Sequence, residues 1–562
     1  MTIGAHAWAT LVLFFVSTVF VIHPVSFHVR IPVIGRTKVT IGLMTSPLIT
    51  IAILWAAQCL GATQIRNGIV GTDGIKPYNI LILFISLAYM AITLDVTGIL
   101  QAAAFWVSNK GGNNGRKLYF YFYVLLTLIS MVVGNDPVIL SGTAFLVYYT
   151  AATNLEPVAW LISEFAAANT ASMVLFVGNP TNVVICEGFR INNAAFTAYT
   201  ILPFLACSVA CYAALSFQFR DGKHVPRRLN NIGKLNVREV LRDPVSAIFG
   251  GVLLLTCLVL VIVLSFIHVD VWKVVLPFAV AKFIFDMGWD HYRYSTGRIP
   301  KFGDRSRDTD TGEDAMVSEL RRAMSMPTDP ERSSTLLSLS VPPEKLPGAE
   351  TRIPQTDSPA QSSLTVSVVD PTTPPEPPRI FSKQRENLDH LRQKWAAHFP
   401  TFFTALPRLP FGLIPFAFSQ FILIEALAAQ GWINVFGGWL VKASNRQMIP
   451  TVWLVGVLGV ILCNVAGTNI GATILLTKIV HAAQLPASSE KAAALALAVS
   501  SNIGAVSFTF SASLAGLLWK SILNQKSITI KQATFAFWNM LPLLMMTSVG
   551  LSVVTAMMVV LY

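Results

Sequence analysis

Apolar residues in this chain come in blocks of about 17 to 25, the length that crosses a bilayer as a helix. Such blocks run over 8–22, 40–60, 80–94, 195–217, 247–267 and 541–561. Two further apolar stretches carry polar residues at their centres. Residues 119–153 are interrupted by Gly134-Asn135-Asp136-Pro137, and residues 452–485 by Gly467-Thr468-Asn469. Each arm is about 15 residues, too short to cross and return, so the pattern predicts two re-entrant hairpins with tips at mid-membrane. The stretch after each hairpin, 158–186 and 493–519, is long, apolar and broken by Gly, Asn, Ser and Thr. It reads as a helix interrupted at mid-depth, where the freed backbone must be satisfied by protein or line a wet cavity.

Sliding the chain against itself by 333 residues brings like positions together. Gly98 meets Gly431, Trp106 meets Trp439, Gly134 meets Gly467 and Asn169 meets Asn502. The expected fold is therefore an all-α polytopic membrane protein. It has two halves, each with about five transmembrane helices, one hairpin and one broken helix. An odd number of crossings inverts the second half relative to the first.

Charge tests this layout. Seven Lys/Arg lie between Arg220 and Arg242, and three each in 30–38, 110–117 and 520–531. With the N-terminus outside, all four clusters fall inside, as the positive-inside rule requires. The net charge of +12 is thus a matter of topology, and no nucleic-acid partner is expected. The residues from 296 to 395 are rich in Pro, Ser, Thr and charge, and read as a disordered cytoplasmic linker. The linker separates a region 1–295, whose residues 244–287 hold the first two helices of the second half, from the remainder at 396–562. Arg321-Arg322-Ala323-Met324-Ser325 has the form of a basophilic kinase site at Ser325.

Composition agrees. Hydrophobic residues make up 53% of the 562 and charged residues 12%, with a mean hydropathy of +0.59. The six cysteines sit in apolar segments without framework spacing, which excludes a disulfide scaffold. No Walker A, HExxH, CxxC or GxSxG pattern occurs, so the chain is not expected to be an enzyme or an ATP-driven pump.

The polar interruptions are the candidate site. Paired interruptions in corresponding halves point to a carrier's binding site. Gly178-Asn179-Pro180-Thr181-Asn182 offers side-chain amides and hydroxyls, and its proline opens the backbone ladder. Asn135, Asn169 and Thr170 belong with it in the first half, and Thr468, Asn469, Ser501, Asn502, Ser507, Thr509 and Ser511 in the second. Such groups can replace a cation's hydration shell, while freed helix N-termini favour an anion. Asp136 is a carboxylate at a tip, expensive in a membrane and so a candidate for ligating sodium or carrying a coupling proton. It also fits an N-cap followed by Pro137. Asn469, at its 333-residue mate, would cap the second hairpin without charge. Lys478 is a second coupling candidate, or snorkels to the interface. Glu164 and a Glu425 placed at the interface rank below these.

Residues 165–185, FAAANTASMVLFVGNPTNVVI, resemble the signature of the arsenite/antimonite permease and citrate-transporter-like families of the ion-transporter superfamily. Leu94-Asp95-Val96-Thr97-Gly98 is similar to the segment before that family's first hairpin, and TFSASLAGLLW at 509–519 to its second-half motif. The resemblance implies an inverted-repeat fold with a scaffold and a mobile transport part. It implies a secondary transporter of small ions: an inorganic anion or oxyanion of the arsenite type, a sodium/proton antiporter, or a di- or tricarboxylate carrier. A non-transporting scaffold or receptor is the reading from another class. No bound cofactor is expected beyond a coupling ion, H+ or Na+. The partners expected are a small ionic substrate, the lipid bilayer and a second copy in a homodimer. The membrane would be the plasma or the vacuolar one.

Overall fold

A computed structural model describes residues 4–31, 35–229, 236–267, 269–299 and 382–562. Ser325, and with it the kinase-site expectation, lies outside the described residues. Among the described residues, eight helical spans are long and apolar enough to cross a membrane.

The chain starts with α1 (Ala5–Ile22) and an antiparallel ribbon, β1 (Val25–Ile31) and β2 (Gly35–Ile41), pairing Val25 with Ile41. The apolar block at 40–60 was expected to span as one helix, and it does not. Residues 25–41 alternate apolar with polar at period two, which makes a ribbon. The helix that follows, α2 (Thr45–Ala56), has 12 residues, about 18 Å at about 1.5 Å per residue. Gln58 is left-handed at φ +58°, and the chain restarts as α3 (Ala62–Val70). The protein is therefore helical with one small ribbon.

Next come α4 (Pro77–Val96) and α5 (Ile99–Gly111), then the first hairpin, α6 (Gly115–Val133) and α7 (Asn135–Ala152). The first broken helix is α8 (Pro157–Ala171) and α9 (Pro180–Gly188), joined through a 3-10 turn at Phe176–Gly178. The membrane-crossing α10 (Asn193–Gln218), the short α11 (Val237–Val240), α12 (Pro244–Leu264) and α13 (Val271–Ser295) follow.

After residue 381 the chain resumes as α14 (Ser382–His398). Its residues up to 395 were expected to be disordered linker. Instead Leu388, Leu391 and Trp395 recur at helical spacing, which gives the segment one apolar stripe. Then come α15 (Pro400–Ala405), α16 (Leu413–Ala429) and α17 (Trp432–Ser444). The second hairpin is α18 (Met448–Val465) and α19 (Asn469–Ala483). The second broken helix is α20 (Ala487–Ile503) and α21 (Leu514–Gln525), with α22 (Gln532–Leu561) last.

Three of the four hairpin arms are longer than the expected 15 or so residues, at 19 and 18 in the first hairpin and 18 in the second, whose other arm has 15. In the first, the Asn114 side chain caps α6 by accepting from Lys117 N at 3.1 Å. The basic residues taken for loop thus form the opening turn.

The 333-residue register recurs in the backbone. Gly98 and Gly431 are both left-handed, at φ +87° and +84°, and each precedes a 13-residue helix. Trp106 and Trp439 on those helices are exposed to 55% and 58%. Gly134 and Gly467, at the hairpin tips, have φ of +84° and +87°. The packing is reciprocal as well: α7 lies against α21, and α19 against α9. Each hairpin's second arm therefore touches the broken helix of the other half. Buried Phe165 of α8 stacks on Trp519 of α21 at 5.2 Å, a contact of about 0.5–1.5 kcal/mol beyond its area.

Candidate functional site

Three helix starts and two helix breaks meet in the middle of the molecule. Asn502, in the last turn of α20, is fully buried. Its Oδ1 accepts from Ser172 Oγ at 2.9 Å and from Asn179 Nδ2 at 3.1 Å. Its Nδ2 donates to Asn182 Oδ1 at 2.8 Å and to the Ala498 carbonyl at 2.9 Å. All four hydrogen-bonding positions of one amide are used, three of them on residues more than 300 positions away. Asn182 Nδ2 in turn donates to the Ser172 and Leu175 carbonyls, each at 2.8 Å, closing backbone left open by the break. Asn179 caps α9, accepting from Thr181 N at 3.2 Å. Ser501 Oγ lies 3.4 Å from Thr181 Oγ1.

The hairpin tips dock on this crossing. Asn135 Nδ2 donates to Asn169 Oδ1 at 3.0 Å, and Asn469 Nδ2 to the Ser501 carbonyl at 3.1 Å. A Cβ on Gly134 would lie 3.3 Å from the Gly178 carbonyl oxygen, so tip and break touch. Asn135 and Asn469 are the first helical residues of α7 and α19. The gapless register therefore slips by one at the tips, where Thr468 caps α19 by accepting from Gly471 N at 3.4 Å. The residue equivalent to Asp136 is Ile470, not Asn469.

Asp136 is not an N-cap. Gly134 holds that position and Asp136 is the second residue of α7. It is half-buried, and no hydrogen bond or ion pair reaches its carboxylate from the described residues. A first-turn carboxylate is favoured by the helix dipole.

The remaining predicted residues lie beside the crossing. Ser507 accepts from Asn464 Nδ2 at 2.8 Å. Thr509 donates to Asn464 Oδ1 through N at 3.1 Å and Oγ1 at 2.9 Å, and Ser511 Oγ is 3.2 Å from Thr509 Oγ1. Thr170 points elsewhere, to Met546 Sδ at 3.2 Å. Lys478 is far from the tips. It is buried, and binds Glu425 Oε1 at 2.7 Å, Asp73 Oδ2 at 2.9 Å and Thr72 Oγ1 at 2.7 Å. Glu425, expected at the interface, is 8% exposed and also takes the Thr72 hydroxyl.

Several polar residues escaped the sequence reading. Ser172 and Asn464 are built into the crossing; the signal was polarity within a few residues of a break or tip. Asp95, at the end of α4, accepts from Ser141 of α7 and pairs with Arg408 at 3.4 Å. On α13, Lys282 pairs with Asp286, which accepts from Tyr89 Oη at 3.1 Å, and Asp290 accepts from Thr401 at 2.8 and 3.0 Å. Spacing by four residues in an apolar helix was the clue to these three. Glu164 is fully buried, with Thr143 Oγ1 3.1 and 3.0 Å from its two oxygens. The six cysteines are all buried and free.

Comparison with known proteins places this arrangement. Residues 7–290 match the family described as "Citrate transporter". The chain belongs to that family. The chain is thus an integral, multi-pass membrane protein. The arsenical pump membrane protein of Escherichia coli K12 is 25% identical over 238 residues, 41% of this chain and 55% of that one. The counterpart in Yersinia enterocolitica is 25% identical over 245 residues, 41% of this chain and 57% of that one. The chain spans little more than half the length of these relatives. The solved YdaH transporter of Alcanivorax borkumensis overlays at a TM-score of 0.42 and 12% identity, covering 98% of this chain and 97% of that one. That likeness is too weak to carry an argument.

Proposed function

We propose that this protein is a secondary transporter whose cargo is a small inorganic oxyanion or oxyacid of the arsenite class. The binding site in this reading is the crossing of the two broken helices around Asn502. The observation that carries it is the chemistry of that crossing. Asn135, Asn169, Asn179, Asn182, Asn469 and Asn502 lie together, and no Lys or Arg of the described residues bonds to any of them. Positive potential there comes only from the starts of α7, α9 and α19. That suits a small cargo of low charge. A tricarboxylate would bring several charges into a space with no cation to pair them, at heavy desolvation cost.

The two halves act as an inverted repeat, each hairpin sealing the break of its own half and leaning on that of the other. Transport then consists of the hairpins and broken helices moving against α4, α13 and α16. Asp136 is the coupling site in this account, taking H+ or Na+ as the tip moves. Citrate is the second reading, and membership of the citrate transporter family favours it.

The test is uptake into proteoliposomes under an imposed proton or sodium gradient, with arsenite, citrate and succinate offered separately. Gradient-driven arsenite flux is expected. Citrate flux without arsenite flux would replace the cargo assignment. No flux of any solute from folded protein would remove the transporter reading itself.

A further inference from the structure

One buried carboxyl group stands apart from the rest. Asp95 has Arg408 at 3.4 Å, Asp243 has Arg293 at 2.8 Å, Asp290 has the same arginine at 3.6 Å and Glu425 has Lys478 at 2.7 Å. Asp286 pairs with Lys282. Glu164 of α8 is fully buried, and no Lys, Arg or His among the described residues pairs with it. An unpaired carboxylate inside a membrane bundle is costly and marks a functional position by default.

The surroundings of Glu164 fit the acid better than the anion. Thr143 Oγ1 on α7 lies 3.1 and 3.0 Å from its two carboxyl oxygens. One hydroxyl carries one hydrogen, so it cannot serve two anionic oxygens fully. As a carboxylic acid, one oxygen donates to Thr143 Oγ1 and the other accepts from it. A Cβ on Gly142 would lie 2.5 Å from Glu164 Oε1, so the second arm of the first hairpin closes directly over the carboxyl.

The other titratable groups on the packed helices are engaged elsewhere. On α6, Tyr119 donates to the Ala159 carbonyl at 3.4 Å and Tyr123 to the Ser208 carbonyl at 2.8 Å. On α10, Cys207 donates to the Met546 carbonyl at 3.4 Å, and Cys211 faces Tyr123 and Thr170. Arg116 and Lys117 on α6, Asp136 on α7, and Glu490 and Lys491 on α20 sit near the starts of their helices. Lys520 on α21 lies over the Phe510 ring at 5.1 Å.

A donor suited to the anion is present and unused. Trp519 of α21 is fully buried. Its Nε1–H faces the Glu164 carboxyl outside hydrogen-bond geometry, with no partner among the described residues. Phe165, the neighbour of Glu164, stacks on the same indole. The carboxyl therefore lies between the first hairpin and the broken helices of both halves.

We infer that Glu164 is a proton-binding site that clasps the first hairpin to α8. In this arrangement the carboxyl holds its proton and shares it with Thr143. When the hairpin moves, the O–H bond breaks and the proton passes to water admitted by that movement. The carboxylate then takes the hydrogen bond of Trp519 Nε1–H. The ligand is H+ and not a metal ion, because Thr143 alone bonds to the carboxyl and a hard cation needs several oxygen ligands. The inference rests on the transporter reading, since it needs the hairpin to move. It is separate from Asp136, which lies seven residues before Thr143 at the tip.

The experiment is infrared difference spectroscopy of the full-length protein in lipid nanodiscs at neutral pH, wild type minus Glu164→Gln. A carbonyl band of a protonated, hydrogen-bonded carboxyl is expected in wild type, lost in Glu164→Gln and kept in Asp136→Asn. Thr143→Val should move that band to higher frequency without removing it. Glu164→Gln imitates the acid but cannot ionise. It should bind arsenite as wild type does and take it up about tenfold more slowly, because movement of the hairpin sets the rate. Trp519→Phe should keep the band and slow uptake in the same way. A difference spectrum without the band would mean an ionised Glu164 and overturn the site. Loss of the band with uptake at the wild-type rate would reduce Glu164 to a fixed structural acid. Should Glu164→Gln not fold, the band and its shift in Thr143→Val decide the protonation state. The band needs no transport, so absence of flux from wild type would remove the cargo assignment and leave the proton site to the spectrum.

Discussion

The two halves of this membrane protein solve one packing problem with different residues. In each, an acidic residue near the end of a long helix reaches the second arm of a hairpin. In the first half Asp95 of α4 takes the hydroxyl of Ser141 on α7, with Arg408 as the cation. In the second, Glu425 of α16 meets Lys478 on α19, and Thr72 and Asp73 of the loop before α4 close around the pair. The backbone N of Lys76 in that loop also donates to Glu187 at the end of α9, at 2.9 Å. The tips differ too, with Asp136 opposite Ile470. The lesson is that matched breaks in the two halves sit beside latches and charges that differ.

An effect as large as any should come from the asymmetry of the two central asparagines. Asn502 makes three bonds to the other half, whereas Asn169 has only Asn135 at its Oδ1. Asn502→Ala should cost about 3 kcal/mol of stability, against about 1 kcal/mol for Asn169→Ala. Thermal melting in detergent reads the difference, and equal losses would mean that the crossing is not centred on Asn502.

Next are the latches. Lys478→Met strands a buried Glu425 and should cost about 3–5 kcal/mol, and Lys478→Met with Glu425→Leu should recover most of it. Arg408→Met leaves the buried Asp95 without its cation and should likewise cost about 3 kcal/mol. The coupling claim rests on the tips. Asp136→Asn should remove the dependence of uptake on the imposed gradient, and Ile470→Asn should leave that dependence intact.

Smaller again is the pair of left-handed glycines. A Cβ on Gly98 would stand 2.3 Å from the Val240 carbonyl, while nothing lies within 4 Å at Gly431. Gly98→Ala should therefore cost more than the roughly 1 kcal/mol of strain expected at Gly431→Ala. The smallest effect concerns pH at the loop before α4. Burial pushes the Asp73 carboxyl up, but the hydrogen bond and charge of Lys478 outweigh it and hold it below its ordinary value. Its contribution is then present above the unfolded carboxylate range and lost as pH falls below it. Cysteine labelling of the loop at 71–76 should be constant from neutral pH down to that range.

Much of this was legible in the chain. Period and length located the hairpins and broken helices, because a polar residue among about twenty apolar ones has few structural excuses. The 333-residue register found Asn169 and Asn502 without any sight of them in space. The ribbon of Val25–Ile31 and Gly35–Ile41 was missed because Arg30, Arg36 and Lys38 read as a basic loop between apolar blocks. The Lys478–Glu425 pair was missed because one residue's pattern cannot show that a cation and an anion 53 positions apart share a buried pair. The slip at Thr468 was invisible because a gapless register cannot distinguish a cap from the first helical residue.

The most direct test of the central claim is equilibrium binding of labelled arsenite to purified protein in nanodiscs, comparing wild type, Asn502→Ala and Lys478→Met. The account predicts that folded Asn502→Ala loses binding, while Lys478→Met binds as wild type does and transports poorly. Wild-type affinity in Asn502→Ala would contradict it, and would move the cargo away from the crossing of the two broken helices.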